Sequence, residues 1–161
     1  MANAYLEGML IIYIDADACP VKDEVYRVAT RYKMRVAVVA NSPMRVPTDP
    51  LVEMVVRIGF GAADDWIAEQ ADAGDVVITA DIPLAARSLA KGARVLDAKG
   101  HAFTANNIAE ALALRAMLEE ARQYGTATGG PAPMTPKDRS RFLSKLDEII
   151  SAICRANPRT A

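Results

Sequence analysis

The sequence predicts an α/β fold: one domain with a mostly parallel central sheet flanked by helices and an extra C-terminal helix. Three observations predict it. Short apolar runs alternate with longer amphipathic stretches, as strands joined by right-handed crossover helices do. The chain has 161 residues, enough for one domain that buries most of its apolar surface. At 52% hydrophobic and 24% charged, its composition is that of a globular protein and not of a disordered one.

The elements follow in order. Residues 1–8 are weakly patterned and read as a disordered extension, with Met9 a natural start just before the first strand. Leu10–Ile14 is a continuous apolar run and reads as a buried strand. Pro20 to about Lys33 reads as a helix with Pro in its first turn and Val21, Val25, Val28 and Ala29 on one face. Arg35–Ala40 is the second strand, and 41–50, with three prolines, is a loop. Residues 51–58 suit a strand or a short helix; Val55, Val56 and Ile58 favour a strand. After Gly59 and Gly61, Asp64 or Asp65 opens a helix to about Ala73. Val76–Thr79 is a strand, Pro83 begins a helix ending near Gly92, and Ala93–Leu96 is the last strand. Asn107 and Glu110 have the form of a capping box for a helix to about Tyr124. Residues 125–133, rich in Gly, Thr and Pro, read as a mobile loop. Thr135 and Asp138 cap a final helix with Phe142, Leu143, Leu146, Ile149, Ile150 and Ile153 at helical spacing. That apolar side must pack on the body or on a second copy, which hints at a homodimer.

Composition excludes several classes. The formal net charge of -1 gives no global attraction for nucleic acid or an anionic membrane, so a polyanion would need a local patch. Two cysteines, Cys19 and Cys154, make neither a disulfide framework nor a Cys-based zinc site. His101, the single histidine, excludes a multi-His metal centre. No apolar run approaches the ~20 residues of a membrane span, and no signal-peptide pattern opens the chain, so the cytoplasm is the expected compartment.

In an open parallel sheet, ligands bind beyond the carboxyl ends of the strands. Asp15 and Asp17 follow the first strand, Asn41 the second, Asp81 the fourth and Asp97 the fifth; Asp64 and Asp65 start the helix before the fourth. Aspartates follow strands for ordinary reasons of turns and caps. Several on one rim repel one another, which raises their pKa values or demands a cation. A hard ion such as Mg²⁺ or Mn²⁺ prefers oxygen ligands, and it can activate water and offset charge on a phosphodiester.

The runs Asp15-Ala-Asp-Ala-Cys-Pro-Val-Lys22, Gly74-Asp-Val-Val-Ile-Thr-Ala-Asp-Ile-Pro-Leu-Ala85, Lys91-Gly-Ala-Arg-Val-Leu96, Thr128-Gly-Gly-Pro131 and Lys137-Asp-Arg resemble the bacterial YaiI/YqxD family. The resemblance spans residues 9 to about 155 and implies a single PIN-like domain there, with 156–161 a tail. PIN-like relatives are mostly Mg²⁺- or Mn²⁺-dependent nucleases acting on RNA. By that resemblance Asp15, Asp64 or Asp65, and Asp81 are metal ligands. Asp15, Asp17 and Asp81 are the catalytic candidates, and Asp97 is a weaker one. The Gly-Gly-Pro segment and the Lys-Asp-Arg helix start either contact a phosphate backbone or form a packing lid.

Lys22, Asn41, Arg45, Lys137 and Arg139 are the candidate substrate-binding residues, each with a plain surface or turn role as the alternative. Cys19 reads as a small buried residue beside the Asp pair, His101 as a surface or capping residue, Trp66 as a core anchor, and Arg87 and Lys91 as a solvated helix face. Three functions compete. The first is a metal-dependent nuclease, with RNA or another nucleic acid as partner. The second is a haloacid-dehalogenase-type phosphohydrolase with Asp15 as nucleophile, for which Ser42 follows the second strand but no convincing phosphate-holding lysine is evident. The third is a non-catalytic metal- or nucleotide-binding module.

Overall fold

The computed structural model describes residues 10–125 and 133–156. The 1–8 extension, the Thr128–Pro131 motif and all of the tail but Ala156 lie outside the described residues. Six strands form one sheet: β1 (Ile11–Asp15), β2 (Arg35–Ala40), β3 (Val52–Val56), β4 (Val76–Ile78), β5 (Arg94–Leu96) and β6 (Ala102–Phe103). Their order is β3-β2-β1-β4-β5-β6, parallel throughout except for β6, which runs antiparallel to β5. The connections are α1 (Lys22–Tyr32), α2 (Ala62–Gln70) and α3 (Ile82–Ala90); α4 (Ile108–Gln123) and α5 (Pro136–Ala156) follow β6. No helix among the described residues is long and apolar enough to cross a membrane.

Strand side chains alternate between faces, and the core divides accordingly. On one face Ile12, Ile14, Val36, Val38 and Ile78 meet Val25 and Val28 of α1 and Phe142, Leu146 and Ile150 of α5. On the other, Tyr13, Val39, Val77 and Val95 meet Ile67 of α2 and Leu84 of α3. The final helix therefore packs its apolar side on the sheet and on α1. The helix left outside is α4, which packs on α3 yet buries none of its residues; Leu114 and Met117 are 56% and 67% exposed.

Several boundaries differ from the sequence expectation for local physical reasons. The first helix begins at Lys22, not at Pro20. Cys19 is extended (φ -96°, ψ 113°), as a residue before proline prefers, so Pro20 belongs to the entering turn. Gly61, at φ 70°, starts α2, which places Asp64 and Asp65 inside its first turn instead of at its cap. The reciprocal box before α4 is Thr104 with Asn107: Asn107 N–H donates to Thr104 Oγ1 (3.2 Å) and Thr104 N–H to Asn107 Oδ1 (2.8 Å). Asn107 thus stands at the N-cap position of α4, but its side chain bonds back to Thr104 instead of to the helix. The box at Thr135 and Asp138 forms as read, with both bonds at 3.1 Å. The two-residue β6 has no counterpart in the sequence reading.

Candidate acidic site at the β1–β4 switch point

The chain winds outward in one direction from β1 through β2 to β3, and in the other from β4 through β5. The point of reversal lies between β1 and β4, where open α/β sheets bind ligands. The register pairs Ile14 with Ile78, so Asp15 and Thr79 leave the sheet side by side. A cleft of about 230 Å³ opens there, lined by Asp15, Cys19, Ile78, Thr79, Asp81 and the alanines Ala18, Ala80 and Ala98.

A hydroxyl organises the cleft. Thr79 is buried, and its Oγ1 donates to Asp15 Oδ2 (2.7 Å) while accepting the Asp81 N–H (2.9 Å). Asp81 Oδ1 accepts the Leu84 N–H (2.9 Å) and so caps α3. Each carboxylate spends one oxygen on position. The other has no protein donor among the described residues. Asp75, at the opposite end of β4, is the contrast: its two oxygens accept the Ile11 and Asp72 N–H groups (3.0 and 2.9 Å), which is a structural role only.

Electrostatics couple three of the candidates. Burial pushes the Asp15 carboxyl up, and the nearby Asp81 and Asp17 charges add to that against the Thr79 hydrogen bond. Asp64 is raised to about 6, first by burial and then by Asp15, Asp81 and Asp65. Asp64 sits on the inward side of α2, three and four residues before the buried Ile67 and Ala68. Asp65 is turned outward and pairs with Arg87 at 2.7 Å. Among the described residues no three Asp, Glu, His or Cys side chains form a ready-made ligand group.

The pKa of Asp64 has a consequence for stability. A folded value above the unfolded one means that the native state binds more protons in the window between them, so stability falls as pH rises from about 4 to about 6. Discounted for solvent screening of a half-exposed group, the loss is about 1 kcal/mol. Thermal melts across that window should show Asp64→Asn losing less stability than the wild type.

The remaining candidates divide plainly. Asp17 is exposed and its Oδ2 accepts the Asn41 N–H (3.0 Å), tying the β1 exit to the end of β2. Lys22 Nζ donates to the Cys19 carbonyl (2.7 Å), and Arg139 to the Pro20 carbonyl (2.8 Å) and Glu24 (3.2 Å). Both cations brace the loop instead of pointing into the cleft. Asn41, Arg45 and Lys137 are exposed outside the lining of the cleft. Asp97 is absorbed by its own turn, accepting the Lys99 and His101 N–H groups (both 2.9 Å), with His101 Nδ1 at 3.4 Å. Cys19 is buried and burial raises its thiol pKa. Trp66 lies edge-on to Tyr13, with Arg57 over its ring at 5.1 Å. Arg87 and Lys91 fasten α3 to α2, Lys91 through the Glu69 carbonyl at 2.6 Å.

The family model described as "Uncharacterized BCR, YaiI/YqxD family" matches residues 13–152. The chain belongs to the YaiI/YqxD family. It is 55% identical to a UPF0178 protein of Rhodospirillum centenum, over 91% of this chain and 99% of that one. It is 52% identical to UPF0178 proteins of Rhodopseudomonas palustris strain HaA2 (91% of this chain, 90% of the relative) and of Bradyrhizobium diazoefficiens (89% and 87%). No solved structure matches. In this YaiI/YqxD chain the residue that sequence reasoning passed over is Thr79. Its signal was there: a hydroxyl two residues before an aspartate, at the exit of a buried strand.

Thr79→Val tests that assignment. The valine keeps the volume but removes a hydrogen bond to a carboxylate and leaves the Asp81 N–H without its acceptor. Chemical denaturation should show a loss of about 2 kcal/mol. The Asp15 carboxyl, followed by NMR, should titrate at higher pH than in the wild type, because the hydrogen bond favours its charged form.

Proposed function

We propose that this protein is a metal-dependent phosphodiesterase acting on nucleic acid, RNA before DNA. The observation that carries this reading is the convergence of Asp15 and Asp81 across the switch point through one shared threonine hydroxyl. The donors are all oxygen, which suits a hard divalent cation. Mg²⁺ commonly takes only one or two carboxylates and keeps its waters, so Asp15 and Asp81 would suffice as its protein ligands. Asp15 and Asp81 would hold the ion, each through its uncommitted oxygen. When bound, such an ion activates water and offsets charge on the phosphodiester.

The protein groups supply the rest. Thr79 keeps Asp15 from rotating away from Asp81. Asp64, whose carboxyl is raised first by its own burial, lies near this pair and suits a general acid or base. A phosphoenzyme route through Asp15 has less support: no lysine lines the cleft among the described residues, and Lys22 is held by backbone carbonyls.

The test incubates purified protein with labelled single-stranded RNA and DNA in Mg²⁺, in Mn²⁺ and in chelator. Cleavage that needs the metal supports the reading. Failure to cleave any strand in either metal contradicts it. A phosphate analogue trapped on Asp15 would favour the phosphohydrolase, and tight binding without turnover the non-catalytic module.

A further inference from the structure

The acidic cleft repels the polyanion it is proposed to cut, and the net charge of -1 offers no compensation. Cationic side chains must therefore hold the strand next to the cleft. The basic residues singled out in the sequence do not line it, and two of them, Lys22 and Arg139, are spent on backbone carbonyls.

A second concavity meets the need. An open groove of about 590 Å³ lies between the β5–β6 loop and α5, with His101 on one side and Arg141, Ser144, Lys145 and one carboxylate, Glu148, on the other. Arg141 and Lys145 stand one helical turn apart and share a face. Their protein partners sit at long range, Asp138 (3.4 Å) and the Lys99 carbonyl (3.5 Å) for Arg141 and Glu148 (3.6 Å) for Lys145, against 2.7 and 2.8 Å for the carbonyl bonds that hold Lys22 and Arg139. The frame is rigid. Gly100, at φ +86°, lies so close to α5 that a Cβ would sit 2.9 Å from Arg141 C, Arg141 Cγ and Phe142 N. Asp97 ties the loop from within. That loop is also the wall shared with the cleft: Ala98 lines the cleft and Gly100 and His101 line the groove. Two residues span at most about 7 Å.

We infer that the groove formed by His101, Arg141, Ser144 and Lys145 binds the phosphodiester backbone of a single strand whose neighbouring linkage enters the acidic cleft. The assignment of the occupant rests on the nuclease reading. The Arg141 guanidinium and Lys145 ammonium would take phosphate oxygens, and the Ser144 hydroxyl adds a neutral donor.

The experiment measures fluorescence anisotropy of a labelled single-stranded RNA in chelator, where no turnover occurs. Arg141→Ala/Lys145→Ala should weaken binding about tenfold or more and lower the slope of log affinity against log salt by about 1.4, which is ~0.7 for each phosphate that is no longer neutralised. Arg115→Ala/Arg122→Ala on α4 removes the same charge away from the groove and should change neither. Circular dichroism melts show that both variants fold. Unchanged affinity and slope in the groove variant, an equal loss in the α4 variant, or no binding by the wild type would each overturn the inference. The two proposals fail separately: wild type that binds through the groove but never cleaves sinks only the nuclease, and metal-dependent cleavage indifferent to Arg141 and Lys145 sinks only the groove.

Discussion

Asp15→Asn should reduce metal-dependent hydrolysis about 100-fold or more while raising the thermal midpoint near neutral pH. The first effect follows from its place at the switch point. Even outer partners of a metal site typically cost 10–100-fold when removed, so a proposed ligand should cost at least as much. The second follows from electrostatics. Burial and the Asp81 and Asp17 charges raise the Asp15 pKa, so the ionised carboxylate is less stable in the folded protein than in the unfolded chain. Asn removes that charge, keeps the shape and still accepts the Thr79 hydrogen bond. The thermal midpoint therefore rises. A rate assay and a melt on the same sample check both. A residue with a purely structural role would lose stability together with any activity.

Phe142→Ala should destabilise the fold by about 3–5 kcal/mol. Phe142 is 0% exposed and lies with Ile14 and Ile78 in the core cluster under the β1–β4 exit. Such a loss is a large part of the ~5–15 kcal/mol that holds a domain together. Urea denaturation should show a lower midpoint at unchanged slope. The variant asks whether α5 is integral to the core; a change below about 1 kcal/mol would mean that the sheet folds without it.

Much of this architecture is legible in the sequence because burial on both faces leaves a strong mark. The runs at 10–14, 35–40 and 76–79 are apolar without alternation, as central parallel strands must be, and they end at Asp15, Asn41 and Asp81. The apolar stripe of α5 is equally plain. Chain order alone does not say whether the stripe faces the sheet or a second copy. Only the packing of Phe142, Leu146 and Ile150 beneath the β1–β4 strands decides that.

Other features have weaker signals. β6 has two residues, too few for any period. The apolar residues of α4 read as a helix, but Leu114 and Met117 stay exposed, since a helical pattern does not guarantee burial. Asp64 and Asp65 stay alternatives in the sequence because either aspartate makes a good cap, which starts the helix too late. With Gly61 as its first boundary residue, Asp64 falls on the side of Ile67 and Ala68, and Asp65 on the side of the exposed Glu69. The cations mislead for a different reason. Lys22 and Arg139 adjoin the right chemistry in their motifs, yet carbonyl oxygens of the 16–20 loop and Glu24 claim them.

The convergence of Asp15 and Asp81 on one cation is tested most directly by the anomalous signal of a crystal soaked in Mn²⁺. The expected result is a peak between the β1 and β4 exits, within about 2.0–2.3 Å of one oxygen from each carboxylate, with Thr79 still bonded to Asp15. No peak there at saturating Mn²⁺, or a peak bound elsewhere on the molecule, would contradict it.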